Sequence, residues 1–180
     1  VAVTGVQTCA LPISNFGTIG GGGANGIKTG SLGATIAGGY LNLITNGSYA
    51  TVGGGYANAA STNSATVAGG YLNAASGFES TIAGGQANTA SGTASFIGGG
   101  VTNIASGFEA VVVGGELNDA TAPISFVGGG YFNAASGYGA VVGGGYANGA
   151  VGTNSVVVGG ESNLASNSVS TVGGGYYNGA

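Results

Sequence analysis

From Thr18 onward, small, β-branched and polar positions recur in one fixed order. The stretch "ATVAGGYLNAASGFESTIAGGQANTASG" shows the order twice. A small residue, a Thr and a Val or Ile lead into Gly-Gly, and an Asn follows after two more residues. That Asn falls at Asn58, Asn73, Asn88, Asn103, Asn118, Asn133, Asn148, Asn163 and Asn178, always fifteen residues apart. Two earlier units carry it at Asn25 and Asn42, with steps of seventeen and sixteen residues. The extra residues lie around "KTGSLG" and "TNGSY", which read as enlarged turns. Self-similarity at a fixed period is the signature of a repeat architecture.

Each column has its own chemistry. Six residues before every Asn stands Val or Ile, from Ile19 and Ile36 to Val157 and Val172. Eight before it the residue is small, as at Ala50, Ala65, Ser80, Ala110 and Ser155; two after it Ala predominates, as at Ala60, Ala75 and Ala90. A fifteen-residue unit is too short for a helix-turn-helix repeat, and paired Gly with β-branched residues disfavours helix. Two-residue alternation puts the small residue and the Val or Ile on one face of a short strand. Gly-Gly supplies a turn, because Gly adopts positive φ without penalty. A second strand runs near Asn-x-Ala-Ser, and a second turn follows at "GFE", "GTA" or "GYG".

The prediction is an all-β chain: a parallel β-solenoid with 15-residue coils and a narrow core of Val and Ile facing Ala. About eleven coils at roughly 4.8 Å each give a rod of about 50 Å. The repeated Asn is expected to stack along one edge as an amide ladder. A residue repeated on every coil reads as framework, since a binding site is singular.

Seven residues before each Asn, a column should point outward. It reads Thr18, Thr35, Thr51, Thr66, Thr81, then Phe96, Val111, Phe126, Val141, Val156, then Thr171. Apolar stripes of this kind mark contacts. The thin core gives a second reason to expect association between chains, and Phe96, Val111, Phe126, Val141 and Val156 are the candidate oligomer face. Two residues before Asn a further column is aromatic at Tyr40, Tyr56, Tyr71, Tyr131, Tyr146 and Tyr176. It reads first as a stacked ladder and second as an adhesive surface, which Tyr suits.

Composition narrows the chemistry. The 180 residues, enough for one domain, include 43 Gly, one cation and five acids, and no His. The charges are Lys28, Glu79, Glu109, Glu116, Asp119 and Glu161. A single cation excludes a nucleic-acid surface, which needs clustered Lys and Arg. No apolar run reaches membrane-span length, so this segment is expected to make no membrane contact. Without His or Arg no usual nucleophile–base pair can be assembled, so no catalytic, metal or cofactor site is expected. Glu116 and Glu161 share a column but stand three coils apart. "GGGANG" (21–26) fits G-x-G-x-x-G but lacks the helix and the later acid of a dinucleotide site. The sequon at Asn46 is one triplet in an Asn- and Ser-rich chain.

The tandem units resemble the head-domain repeats of trimeric autotransporter adhesins, the YadA-like β-roll written "ATVxGGxxNxASG". The resemblance covers about Thr18 to Ala180. It implies a left-handed roll, three chains around one axis (a homotrimer), a place on the bacterial cell surface, and a host or extracellular-matrix ligand. The opening differs from everything after it. It holds the lone Cys9, and Val3–Ile13 resembles a translated sequencing adapter. Residues 1–14 are therefore expected to be non-native or unstructured, and 15–180 to form the repeat domain of a protein cut at both ends.

The leading expectation is a non-enzymatic adhesive rod. One alternative is a phage-tail-fibre-like segment that matures with a self-cleaving chaperone domain. Another is an ice-binding solenoid using the Thr column, whose run breaks at Phe96.

Overall fold

The computed structural model describes residues 16–180. The opening segment, with Cys9 and the expectation attached to it, lies outside the described residues. The chain winds as a parallel β-solenoid of about ten turns, with no helix among the described residues. Each turn lends one dipeptide strand to each of two parallel sheets. The first sheet stacks eleven strands in chain order, from Thr18–Ile19 to Thr171–Val172. The second stacks ten, from Gly26–Ile27 to Leu164–Ala165. A third line of single parallel bridges links Tyr40, Tyr56, Tyr71, Gln86, Val101, Glu116 and onward to Tyr176.

The register makes each sequence column a physical ladder. Thr66 pairs with Thr81 and Val67 with Ile82; Phe96 pairs with Val111 and Ile97 with Val112. The coils are joined mainly by backbone N–H groups that donate to the next turn. In one coil Thr66 donates to the Ser80 carbonyl at 2.9 Å, Tyr71 to Gly85 at 2.9 Å and Ala74 to Asn88 at 2.9 Å.

The core is one residue deep. The Val and Ile column is fully buried from Ile36 to Val157, against buried Ala at 60, 75, 90, 105, 120, 135, 150 and 165. The small column at Ala65, Ser80 and Ala110 completes the interior. In the two longer coils the Ala position holds Ile27 and Ile44, both buried. A wider coil needs a larger side chain to avoid a void, because interiors pack to a fixed density.

The turns differ from the sequence reading in one respect. The Gly three before Asn does take positive φ, as at Gly85 (φ 89°) and Gly115 (φ 88°). Two further corners per coil also lie in the left-handed region, and apart from Gly139 in the second of them the fifteen-residue coils fill these with ordinary residues. One is the residue just before Asn, for example Leu72 (φ 57°) and Phe132 (φ 58°); the other includes Ser64 (φ 57°) and Glu79 (φ 57°). A left-handed L-residue costs about 1–2 kcal/mol. At these corners the N–H donates backward to the previous coil: Leu72 to Tyr56 at 3.0 Å, Glu79 to Asn63 at 3.1 Å. A hydrogen bond between coils offsets the strain.

Candidate functional site

The asparagine column lies inside the rod, not along an edge. Asn42, Asn58, Asn88, Asn103 and Asn118 are fully buried, Asn73, Asn133, Asn148 and Asn163 are 1% exposed, and Asn25 is 8% exposed; Asn178 is exposed. Each amide is heavily bonded. The Asn73 Nδ2 donates to the Gly69 carbonyl at 3.0 Å, to Gly85 at 2.8 Å and to the Asn58 Oδ1 at 3.2 Å. The Asn58 Oδ1 also accepts the Asn73 backbone N–H at 3.0 Å. Buried polar groups persist where they are hydrogen-bonded, and this column ties each Gly-Gly corner to the coils above and below. A Cβ at Gly85 would land on the Gly100 carbonyl oxygen and 2.7 Å from the Asn88 Nδ2. Gly is therefore required there by contact as well as by φ. From Asn25 to Asn163 these amides are buried, so over that span the column contributes geometry rather than a surface.

The column Phe96, Val111, Phe126, Val141, Val156 stands on the outer face of the first sheet as one unbroken paired ladder. Phe96 is 38% exposed and the other four are half-buried within the single chain. The next outward column, two residues on, holds Gly98, Val113, Gly128, Gly143 and Val158. The Phe96 ring carbon Cε1 lies 3.5 Å from where a Cβ of Gly98 would stand, and that of Phe126 3.4 Å from the same point at Gly128. Each Phe thus leans over a Gly, while Val111 and Val156 have a Val beside them. Beside Val141 stands Gly143, which no ring covers, so the face dips at that coil. Toward the amino terminus the same column becomes Thr35, Thr51, Thr66 and Thr81 in register.

The aromatic column forms two stacks. Tyr40, Tyr56 and Tyr71 stack with ring centroids 5.7 and 5.3 Å apart, and Tyr131 stacks on Tyr146 at 5.5 Å. Gln86, Val101 and Glu116 separate the two stacks. Offset stacking of this kind adds about 0.5–1.5 kcal/mol per pair, so the column strengthens the rod while exposing the ring edges.

The charged residues do not converge. Asp119 sits on the outer face of the second sheet between Ile104 and Ala134. Burial among these neighbours raises its carboxyl above the ordinary value. No group of three or more His, Cys, Asp or Glu able to hold a metal occurs among the described residues. Among them, too, no helix is long and apolar enough to cross a membrane.

No protein-family model matches the chain, and no curated protein matches it.

Proposed function

We propose that this chain is a non-enzymatic, adhesive rod segment of a bacterial surface protein, of the trimeric autotransporter adhesin type. Three chains wind as left-handed rolls around one axis and bury the Phe96, Val111, Phe126, Val141, Val156 face against one another. The observation that supports this reading is the apolar ladder itself, five coils long, in register and partly open to solvent. A chain whose core is one residue deep gains most from such burial, at about 25 cal/mol per Å² of apolar surface. The remaining outer faces, with the Tyr edges, are left for a host or matrix surface, where many weak contacts add by avidity.

Aspartate at positions 111 and 141 tests the assembly. In one chain both side chains point outward, so the monomer fold tolerates the change; between chains the charges would be desolvated and facing. Val111→Asp with Val141→Asp is expected to give a folded monomer by light scattering behind size exclusion. Unchanged mass in that variant would place the interface on another face.

The Thr35, Thr51, Thr66, Thr81 ladder supports a second reading, an ice-binding surface, because its hydroxyls repeat in register. Thermal hysteresis abolished by Thr66→Leu would favour it over the adhesive reading.

A further inference from the structure

The chain holds four Asn-Gly dipeptides, beginning at Asn25, Asn46, Asn148 and Asn178. Such a pair can modify itself. The glycine nitrogen attacks the asparagine Cγ, an N–Cγ bond forms, the Cγ–Nδ2 bond breaks, and ammonia leaves with the proton from that nitrogen. Water then opens the cyclic imide to an aspartyl or isoaspartyl residue. Nothing is oxidised or reduced, and water is the sole co-reactant.

The fold places these dipeptides in unlike surroundings. Asn148 is 1% exposed, and its Nδ2 donates to Gly144 at 3.0 Å, Gly160 at 2.8 Å and the Asn133 Oδ1 at 3.2 Å. Its Oδ1 accepts from the Asn163 backbone at 2.9 Å, and the attacking nitrogen of Gly149 is itself held by the Asn163 carbonyl at 2.8 Å. Electrophile and nucleophile are both fixed in the ladder. Asn25 is held in the same way, with Nδ2 bonds of 2.9 and 2.8 Å and the Gly26 nitrogen bonded to the Asn42 carbonyl at 2.8 Å.

Asn46 differs in its side chain, although Gly47 beside it is buried. Asn46 lies in the enlarged turn of the sixteen-residue coil, outside the ladder, exposed and at φ 56°. Its side-chain amide makes no hydrogen bond among the described residues. The Gly47 nitrogen is held by a single long bond, 3.2 Å to the Ser31 Oγ. We propose that Asn46 is a self-modification site, where cyclisation with Gly47 converts a turn amide into a carboxylate while the ladder amides persist. The product adds one negative charge to a chain of net charge −4. In its isoaspartyl form it also lengthens the backbone beside Ser48. Asn178, exposed but still donating to Gly174 at 3.0 Å and to Asn163 at 3.1 Å, ranks between the two extremes.

The test is peptide mapping by mass spectrometry on the full chain, aged at mildly alkaline pH, folded and in urea. In the folded chain Asn46 is expected to convert roughly a hundredfold faster than Asn148, where a coil must open first. In urea the two rates should converge. Asn46→Gln should remain folded and lose the fast step. Equal folded rates at Asn46 and Asn148, or a fast step that survives in Asn46→Gln, would overturn the proposal.

Discussion

The side-chain carbonyl of Asn73 accepts two hydrogen bonds from Asn88, one from its backbone N–H at 3.0 Å and one from its Nδ2 at 3.1 Å. The Asn88 amide also donates to Gly84 at 3.1 Å and Gly100 at 3.0 Å, and accepts from the Asn103 backbone at 2.9 Å. Removing it strands several buried groups at once, each costing about 1–3 kcal/mol. Asn88→Ala is therefore expected to lower stability by about 3 kcal/mol or more. Asn88→Asp keeps the size but sets an oxygen against two carbonyls, and should be no better. Urea unfolding followed by circular dichroism checks both, and a loss near zero for either would remove the ladder's structural role.

The turns predict opposite signs for opposite swaps. Gly85→Ala puts a methyl onto the Gly100 carbonyl in a left-handed backbone (φ 89°) and should destabilise strongly. Ala94→Gly relieves a left-handed Ala (φ 55°) at a corner where Gly139 (φ 62°) already serves. It should be neutral or stabilising by up to about 1 kcal/mol, since the relieved strain exceeds the entropy that Gly adds to the unfolded chain. Melting temperatures of the pair decide this.

Two hydroxyls in the small interior column have no hydrogen-bond partner, Ser95 Oγ and Ser155 Oγ. Ser80 in the same column donates to the Gly77 carbonyl at 2.7 Å, and Ala65, Ala110 and Ala140 occupy the column without a hydroxyl. Ser95→Ala and Ser155→Ala should each raise stability by about 1 kcal/mol, whereas Ser80→Ala should gain less or lose. Differential scanning calorimetry of the three variants orders them.

Asp119 predicts a pH effect. Its folded pKa is raised above the ordinary 3.8 by burial. Between the two values the native state binds more protons than the unfolded chain, so this residue's contribution to stability falls as pH rises. The charged form then carries a penalty at neutral pH that is removed on acidification through the carboxylate range. Asp119→Asn should be more stable than the parent at pH 7, and the gap should close in acid. Paired unfolding curves across that range measure it, and a gap independent of pH would contradict the assignment.

Much of this was legible in the sequence because every coil repeats one environment. Val67 and Ile82 must be interior once alternation is combined with the period, and the register then follows without a choice. The Asn position was harder to read. A polar side chain suggests an edge until the Gly-Gly carbonyls that receive its amide are placed. The Leu72 and Glu79 corners were not legible, because left-handed φ is read from Gly, and here hydrogen bonds between coils hold ordinary residues in it. The outward direction of the Phe96 ladder follows from the sequence. The placing of Phe96 over Gly98 and of Phe126 over Gly128 depends on ring direction.

The central proposal is that this rod is built to associate through the face running from Phe96 to Val156. The most direct measurement is the mass of the full chain at micromolar concentration, by light scattering behind size exclusion. The proposal predicts three times the chain mass, held on dilution through the micromolar range. A stable, folded species with the mass of one chain would contradict it.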